Sequence, residues 1–316
     1  MTDGAAGHES QAVAVAEAVG LPFSLRRVRV RGSMGLLPPA LQIHLPARTL
    51  LGAVDSSAPL EPPWPRLIIS SGGRSVPVAL AIKRLSDPPA FALHIHDPKV
   101  RPGLFDLVAA HIHDRLAGDN VITTLGAVHS VTPERLTREM AAFAARIDPL
   151  PHPRIAVLLG GDSRAFSFGP TGAAKFGREL AELARKEGAS LLVTPSPRTG
   201  PEPLAALLAE IEGVPHLAWN GTGANPYFAF LGYADVIVVT QDSINMVTEA
   251  AGTGKPVYVR SLPGFSRRQA RFHVVMRERG VTRPFDGTLA TWSYAPVNDT
   301  EAVAAPIRRA LGLGRT

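Results

Sequence analysis

The chain has 316 residues, 45% of them hydrophobic and 19% charged, a balance that fits a soluble globular protein with a sizeable core, at a length that suits two domains. It contains no cysteine, which excludes a disulfide framework and a thiolate metal site and fits a reducing cytosol. The net charge of +6 is bunched: Arg26, Arg27, Arg29 and Arg31 form one group, and Arg260, Arg267, Arg268, Arg271, Arg277 and Arg279 a second.

Such groups fit either a solvated face or an anionic partner, such as lipid headgroups or a phosphorylated substrate. Nucleic acid is disfavoured, because aromatic residues are only 6% and no reading module is present. No apolar run approaches the roughly 20 residues needed to span a bilayer. The first residues, with Asp3, His8 and Glu9, do not form a basic-then-apolar signal. The expected location is therefore cytoplasmic, at most peripheral on the cytoplasmic face of a membrane.

Apolar strands alternate with amphipathic helices, which predicts parallel α/β sheets. The first half predicts a helix over 10–19, strands over 25–30 and 66–70, a helix over 76–85, strands over 91–96, 105–110 and 121–125, and a helix over 133–146. The proline-rich stretch 32–65 gives little periodicity beyond a short helix near 39–43. Residues 2–8 read as the glycine-rich loop that follows a first strand, yet no strand precedes them. The natural start is accordingly expected upstream, with the first sheet lacking a central strand.

Asp148-Pro-Leu-Pro-His-Pro153 makes a stiff connector, and the domain boundary is expected there, giving domains over 1–148 and 149–316, with the last helix returning to the first domain. Beyond it the pattern predicts strands over 154–159, 190–194, 217–220, 236–240 and 257–260. These alternate with helices over 171–186, 203–211, 226–233, 244–251 and 266–279, and a last helix spans 300–311.

The segment Thr240-Gln-Asp-Ser-Ile-Asn-Met-Val-Thr-Glu249 follows an apolar strand and opens a helix. A helix start directs free backbone N–H groups and the positive end of its dipole at one spot, which suits a phosphate. Glu249 is suited to a diol such as a ribose. The other reading is that Asp242 or Ser243 caps the helix and Glu249 is solvated, and spacing alone leaves both open.

Three more strand ends carry compatible residues: Gly160, Gly161 and Arg164; Ser196, Arg198 and Thr199; and Asn225 with Tyr227. Ligands of open α/β sheets bind at that edge, so the convergence outweighs any one segment. A spaced third glycine is missing after Gly160 and Gly161, which disfavours a nicotinamide cofactor. Near the N-terminus, His8 sits in a glycine-rich turn at a helix start, where it can exchange a proton near neutral pH. His111-Ile-His113-Asp114 is too sparse for a metal site, and Asp114 fits a proton acceptor in a loop.

These segments together resemble the mitochondrial-fission family named after the plant elongated-mitochondria protein. The resemblance runs over residues 3–11, Phe105-Asp-Leu-Val108 with His113-Asp114, 120–126, 159–161 and 196–199. It continues through Asn225-Pro-Tyr227, Thr240-Gln-Asp-Ser243, Met246, Glu249 and 253–257. The chain departs from the expected pattern at Ile112, where a proline is expected, and at Pro197, where an arginine is expected.

The resemblance implies a GT-B-like fold, two Rossmann-like domains facing a cleft. It implies donor contacts from Gly161, Ser196, Arg198, Asn225, Thr240, Ser243 and Glu249, and it likens the loop 4–8 to the histidine-bearing loop of lipid-linked sugar transferases. The implied activity is metal-independent transfer from a nucleoside-diphosphate sugar, as substrate and without a cofactor, to a lipid-linked or envelope acceptor, with His8 or Asp114 as base. Two alternatives are a nucleotide-sugar epimerase and a non-enzymatic adaptor that recruits a membrane or a protein.

Overall fold

The computed structural model describes residues 1–314 and divides into two units, residues 1–130 with the segment from Asn298 onward, and Val131–Val297. The first opens with α1 (Ala6–Val19), which buries Ala12, Val15, Ala16 and Val19 and ends at Gly20, whose φ of 82° suits the left-handed cap only glycine adopts freely. Its helix starts four residues earlier than the periodicity indicates, so His8 lies in the first turn.

Next come β1 (Val28–Val30), the short helices α2 (Gly32–Leu36), α3 (Pro39–Gln42) and α4 (Ala47–Gly52), and β2 (Val54–Ser56), which pairs antiparallel with β1. The main sheet of this unit is β3 (Leu67–Ser71), β4 (Phe91–Ile95), β5 (Leu107–His111) and β6 (Val121–Thr124), all parallel and adjacent in that order. The helix α5 (Val76–Leu85) crosses from β3 to β4 and buries all of Val76–Ile82. Every residue of β5 is buried, as expected of a parallel strand covered on both faces. Met1 and Thr2 form a two-residue rung between Ser71 and Arg27.

The second unit begins with α6 (Pro133–Ile147), capped by the Thr132 hydroxyl, which accepts from the Arg135 N–H. Then follow β7 (Arg154–Leu159), α7 (Pro170–Glu187), β8 (Ser190–Pro195), α8 (Pro201–Glu210), β9 (His216–Ala218) and α9 (Tyr227–Tyr233). The unit closes with β10 (Val236–Thr240), α10 (Ile244–Ala251), β11 (Val257–Arg260), α11 (Arg267–Glu278) and β12 (Thr282–Pro284). The helix α6 belongs here and not with the first unit, so the proline connector at 148–153 is not the break. Arg135 lies over the Phe228 ring at 3.9 Å, and Gly232 has no side chain because Met140 fills the space beside it.

The six strands are parallel in the order β12-β11-β10-β7-β8-β9. Numbered within the unit this is 3-2-1-4-5-6, and the strand order reverses between β7 and β10. Both strands are fully buried. After β12 the chain returns to the first unit as α12 (Thr300–Ala310), which lies on α1 and buries Val303, Ala304 and Ile307. Thr300 fastens that return: its hydroxyl donates to the His129 carbonyl oxygen at 2.8 Å and accepts the His129 N–H at 2.9 Å.

Candidate functional site at the sheet switch point of the second unit

The order reversal of a doubly wound sheet leaves a crevice beyond the carboxyl ends of the two central strands. Here those ends are Gly160-Gly161, after β7, and Thr240-Gln-Asp-Ser243, after β10. Asp242 is the hub. Its carboxylate accepts the Thr240 hydroxyl at 2.8 Å and the Gly161 N–H at 3.1 Å, and it pairs with the Arg198 guanidinium at 2.6 Å. The Thr240 hydroxyl accepts the Gly160 N–H at 2.7 Å.

The loop after β8 locks into the same network. Thr199 donates to the Gly160 carbonyl oxygen and accepts the Ser196 N–H at 2.9 Å, and the Ser196 and Thr199 hydroxyls lie 3.3 Å apart. A Cβ on Gly160 would collide with the Asp242 carboxylate, and one on Gly161 with the Arg198 carbonyl. The glycines thus let two loops meet, and their N–H groups are held by Thr240 and Asp242 instead of being open to an anion. The open cationic group is Arg198, whose side chain is 39% exposed while Asp242's is fully covered.

Ser243 caps α10, its hydroxyl accepting the Met246 N–H at 3.3 Å, and Met246 itself is buried. Two turns into that helix, Glu249 lies about 9 Å along the axis from the cap. Tyr227 donates its hydroxyl to Glu249 Oε2 at 2.5 Å. Burial raises the Glu249 carboxyl to about 7, against the lowering effect of the Tyr227 hydrogen bond and the nearby Arg135. Burial, with Glu249 beside it, raises the Tyr227 hydroxyl well above its usual range, so it stays a donor. Asn225 accepts the Tyr227 N–H at 3.0 Å and so starts α9.

Gly160, Gly161, Ser196, Arg198, Thr199, Thr240 and Asp242 therefore form one network, while Asn225, Tyr227 and Glu249 form a second on the far part of α10. Arg164 belongs to neither; it is exposed on the turn where the Ser163 hydroxyl accepts the N–H groups of Ala165 and Phe166. Two residues of α11 escaped the sequence reading. Gln269 donates to the Asp242 carbonyl at 3.0 Å and His273 to that of Gln241 at 2.8 Å, so they brace the turn from behind. Their spacing of four on an otherwise basic helix was the available signal.

In the first unit, His8 Nδ1 meets the Asp3 carboxylate at 2.7 Å. Burial works to raise the Asp3 carboxyl, but the His8 contact and its charge bring it below the ordinary value. From His8 a row of rings continues through His96, His111 and His113 at centroid separations of 5.2, 5.0 and 4.9 Å. Asp114 closes it, 3.7 Å from His113 Nε2. His8 and Asp114 thus stand at opposite ends of one row and do not meet at a point.

Beyond His8 the row comes from twin His-Ile-His-Asp segments, residues 94–97 across the end of β4 and 111–114 across the end of β5. The repeat is visible in the sequence, although only its second copy carries the proton acceptor expected above. His94 of the first copy is buried with its Nδ1 2.9 Å from the Ser70 hydroxyl, and burial pushes it down to about 3. Among the described residues no group of three or more His, Asp or Glu is arranged to hold a metal ion. Nor, among them, is any helix long and apolar enough to cross a membrane.

The Mitochondrial fission ELM1 family matches residues 6–311. The Arabidopsis thaliana mitochondrial fission protein ELM1 is 30% identical over 274 residues, 78% of this chain and 64% of that protein, so the chain spans just under two thirds of its relative. The UDP-GlcNAc 2-epimerase of Methanocaldococcus jannaschii shares the fold with a TM-score of 0.55 at 11% identity, covering 94% of this chain and 88% of that one. MurG of Acinetobacter baumannii shares it with a TM-score of 0.50 at 14% identity, covering 98% and 89%. The architecture is thus the GT-B-like one of two Rossmann-like units, and with the match running through nearly the whole sequence, the chain belongs to the mitochondrial fission ELM1 family.

Proposed function

We propose that the chain is a metal-independent glycosyltransferase that takes a sugar from a nucleoside diphosphate and passes it to a lipid-linked or envelope acceptor. The observation that carries this reading is the arrangement at the switch point of the second unit: an exposed arginine anchored on a buried aspartate, and a carboxylate two turns along the next helix. Arg198 has five N–H donors, and its bonds to Asp242 and the Gly161 carbonyl leave others for the leaving diphosphate. The Asp242 anchor holds the guanidinium in place, so developing charge meets a donor that needs no reorganisation. Ser196 adds a hydroxyl beside it.

Glu249 spends one carboxylate oxygen on Tyr227 and has the other for a ribose diol. In the first unit His8, oriented by Asp3, is the base we assign to the acceptor hydroxyl. A peripheral place on the cytoplasmic face of a membrane belongs to the same reading.

The test is calorimetric titration of nucleoside diphosphates into the wild type and the Glu249→Ala variant. Binding in the wild type that weakens roughly tenfold or more in the variant, the scale of a lost charge-assisted hydrogen bond, is expected. No binding to the wild type sinks the donor site. Incubation with a nucleotide-sugar alone separates the runner-up: stereochemical change at a sugar carbon without any acceptor means an epimerase, a reading the shared fold also supports. A protein whose membrane or protein binding depends on the arginines of α11 and not on Glu249 is an adaptor.

A further inference from the structure

In the first unit the main sheet holds a slot one strand wide. Met1 and Thr2 are bonded on both sides as a central parallel strand would be. The Met1 ammonium donates to the Ile69 carbonyl at 2.6 Å, and the Met1 carbonyl accepts the Ser71 N–H at 3.0 Å. On the other flank Thr2 N–H donates to the Arg26 carbonyl and the Thr2 carbonyl accepts the Val28 N–H, both at 2.9 Å. This ladder stops after two residues although both flanking segments continue, and the next rungs would use the N–H groups of Ile69 and Arg26.

Between those segments, directly in line with Met1, lies a cavity of ≈ 590 Å³. Leu67 and Ile69 of β3 border it on one side and Leu25 on the other, with Ala12 and Ala16 of α1 and Ile82 of α5 also lining it. Phe23, at its rim, is 52% exposed. A cavity with apolar lining between two strand edges suits an occupant that brings apolar side chains to both faces and amide groups to both edges, which describes a β-strand.

The geometry points to a further parallel strand seated in this slot, an apolar segment of about four residues that runs beside β3 and joins Met1 through a peptide bond. Continuity with Met1 fixes the source: the Met1 nitrogen is already on the rung, its bond to Ile69 oxygen is one an amide makes equally well, and the open end of the slot lies upstream of it. An amide would also remove a charge that fits its surroundings poorly. Burial, aided by the nearby Arg26, pushes the Met1 amine down from 8.0 to about 6. All of these residues lie in the first unit, so the inference stands independently of the donor-site reading.

The experiment compares the 316-residue chain with two versions extended ahead of Met1, one by Val-Ile-Val-Val and one by Gly-Ser-Gly-Ser. The apolar extension is expected to raise Tm by roughly 5 °C or more. It should also slow hydrogen exchange at the Ile69 and Arg26 amides at least tenfold, while the Gly-Ser extension does neither. If the unextended chain is insoluble, recovery of soluble protein by the apolar extension alone supports the strand. Equal melting and exchange for the two extensions overturns it, as does failure of both to yield soluble protein. So does stabilisation by a detergent or lipid that the tethered apolar strand cannot reproduce.

Discussion

The carboxyl group of Glu249 ties site chemistry to stability. Its folded value of about 7 stands above the unfolded 4.5, so the protonated form is the one folding favours. The resulting contribution is complete below about pH 4.5 and disappears as pH climbs through 7. Glu249→Gln keeps the neutral hydrogen-bonding group and removes the titration. Thermal melts of both proteins between pH 5 and 8 are expected to show the wild type losing roughly 1 to 3 kcal/mol relative to the variant as pH rises, a figure discounted for partial exposure. Parallel curves would mean that the carboxyl does not carry the shift. The same titration bears on the proposed ribose contact, which needs the ionised form and so should strengthen towards pH 8.

At the level of elements, the decisive placements are those of two helices, α6 in the second unit and α12 in the first. The helix α6 sits on α9 because Leu136 and Met140 fill the place where Gly232 lacks a side chain. The helix α12 sits on α1 because Val303, Ala304 and Ile307 are apolar at helical spacing and meet the buried stripe of Ala12, Val15 and Val19. Arg308 reinforces this docking by donating to the Ala18 carbonyl at 2.5 Å, and Arg66 donates to that of Leu311 at 3.0 Å. Ile307 is fully buried, so Ile307→Ala is expected to cost about 3 kcal/mol. Denaturant melts measure the loss, and hydrogen exchange locates it: Val15 and Val19 amides lose protection while those of β10 keep theirs. Equal loss in both units would show that the cost is not confined to this docking.

Across the whole molecule, the sheet of the second unit was the most legible part. Val236–Thr240 and Ile244–Ala251 stand at their expected bounds, because an apolar run ended by Asp-Ser and a helix ended by glycine are local signals. The three-residue β12, which contains Pro284, escaped because so short a strand exists only through its neighbour β11. The stretch 32–65 was legible only at the short helix near 39–43, because its other short helices owe their place to packing, α4 on α5 and α2 against β1. Strand ends were readable as a candidate site, whereas the partner of each group was not: nothing in the spacing says that Asp242 takes the Gly161 N–H. The histidine row escaped as well, since residues 8, 96, 111 and 113 become neighbours only when α1, β4 and β5 are side by side.

The return of α12 has a consequence for the connectivity of the backbone. The second unit is an insertion within the first, entered after Ser130 and left before Asn298, and the first unit is completed by a helix that comes after it in the chain. A protease that cuts once at the 130–131 crossing therefore releases no fragment under native conditions, because the detached amino-terminal piece still grips α12 through α1. The nicked protein should migrate as one species in native electrophoresis and as two in denaturing gels, and separation in the native gel would mean that the helical clasp is weaker than its buried residues imply.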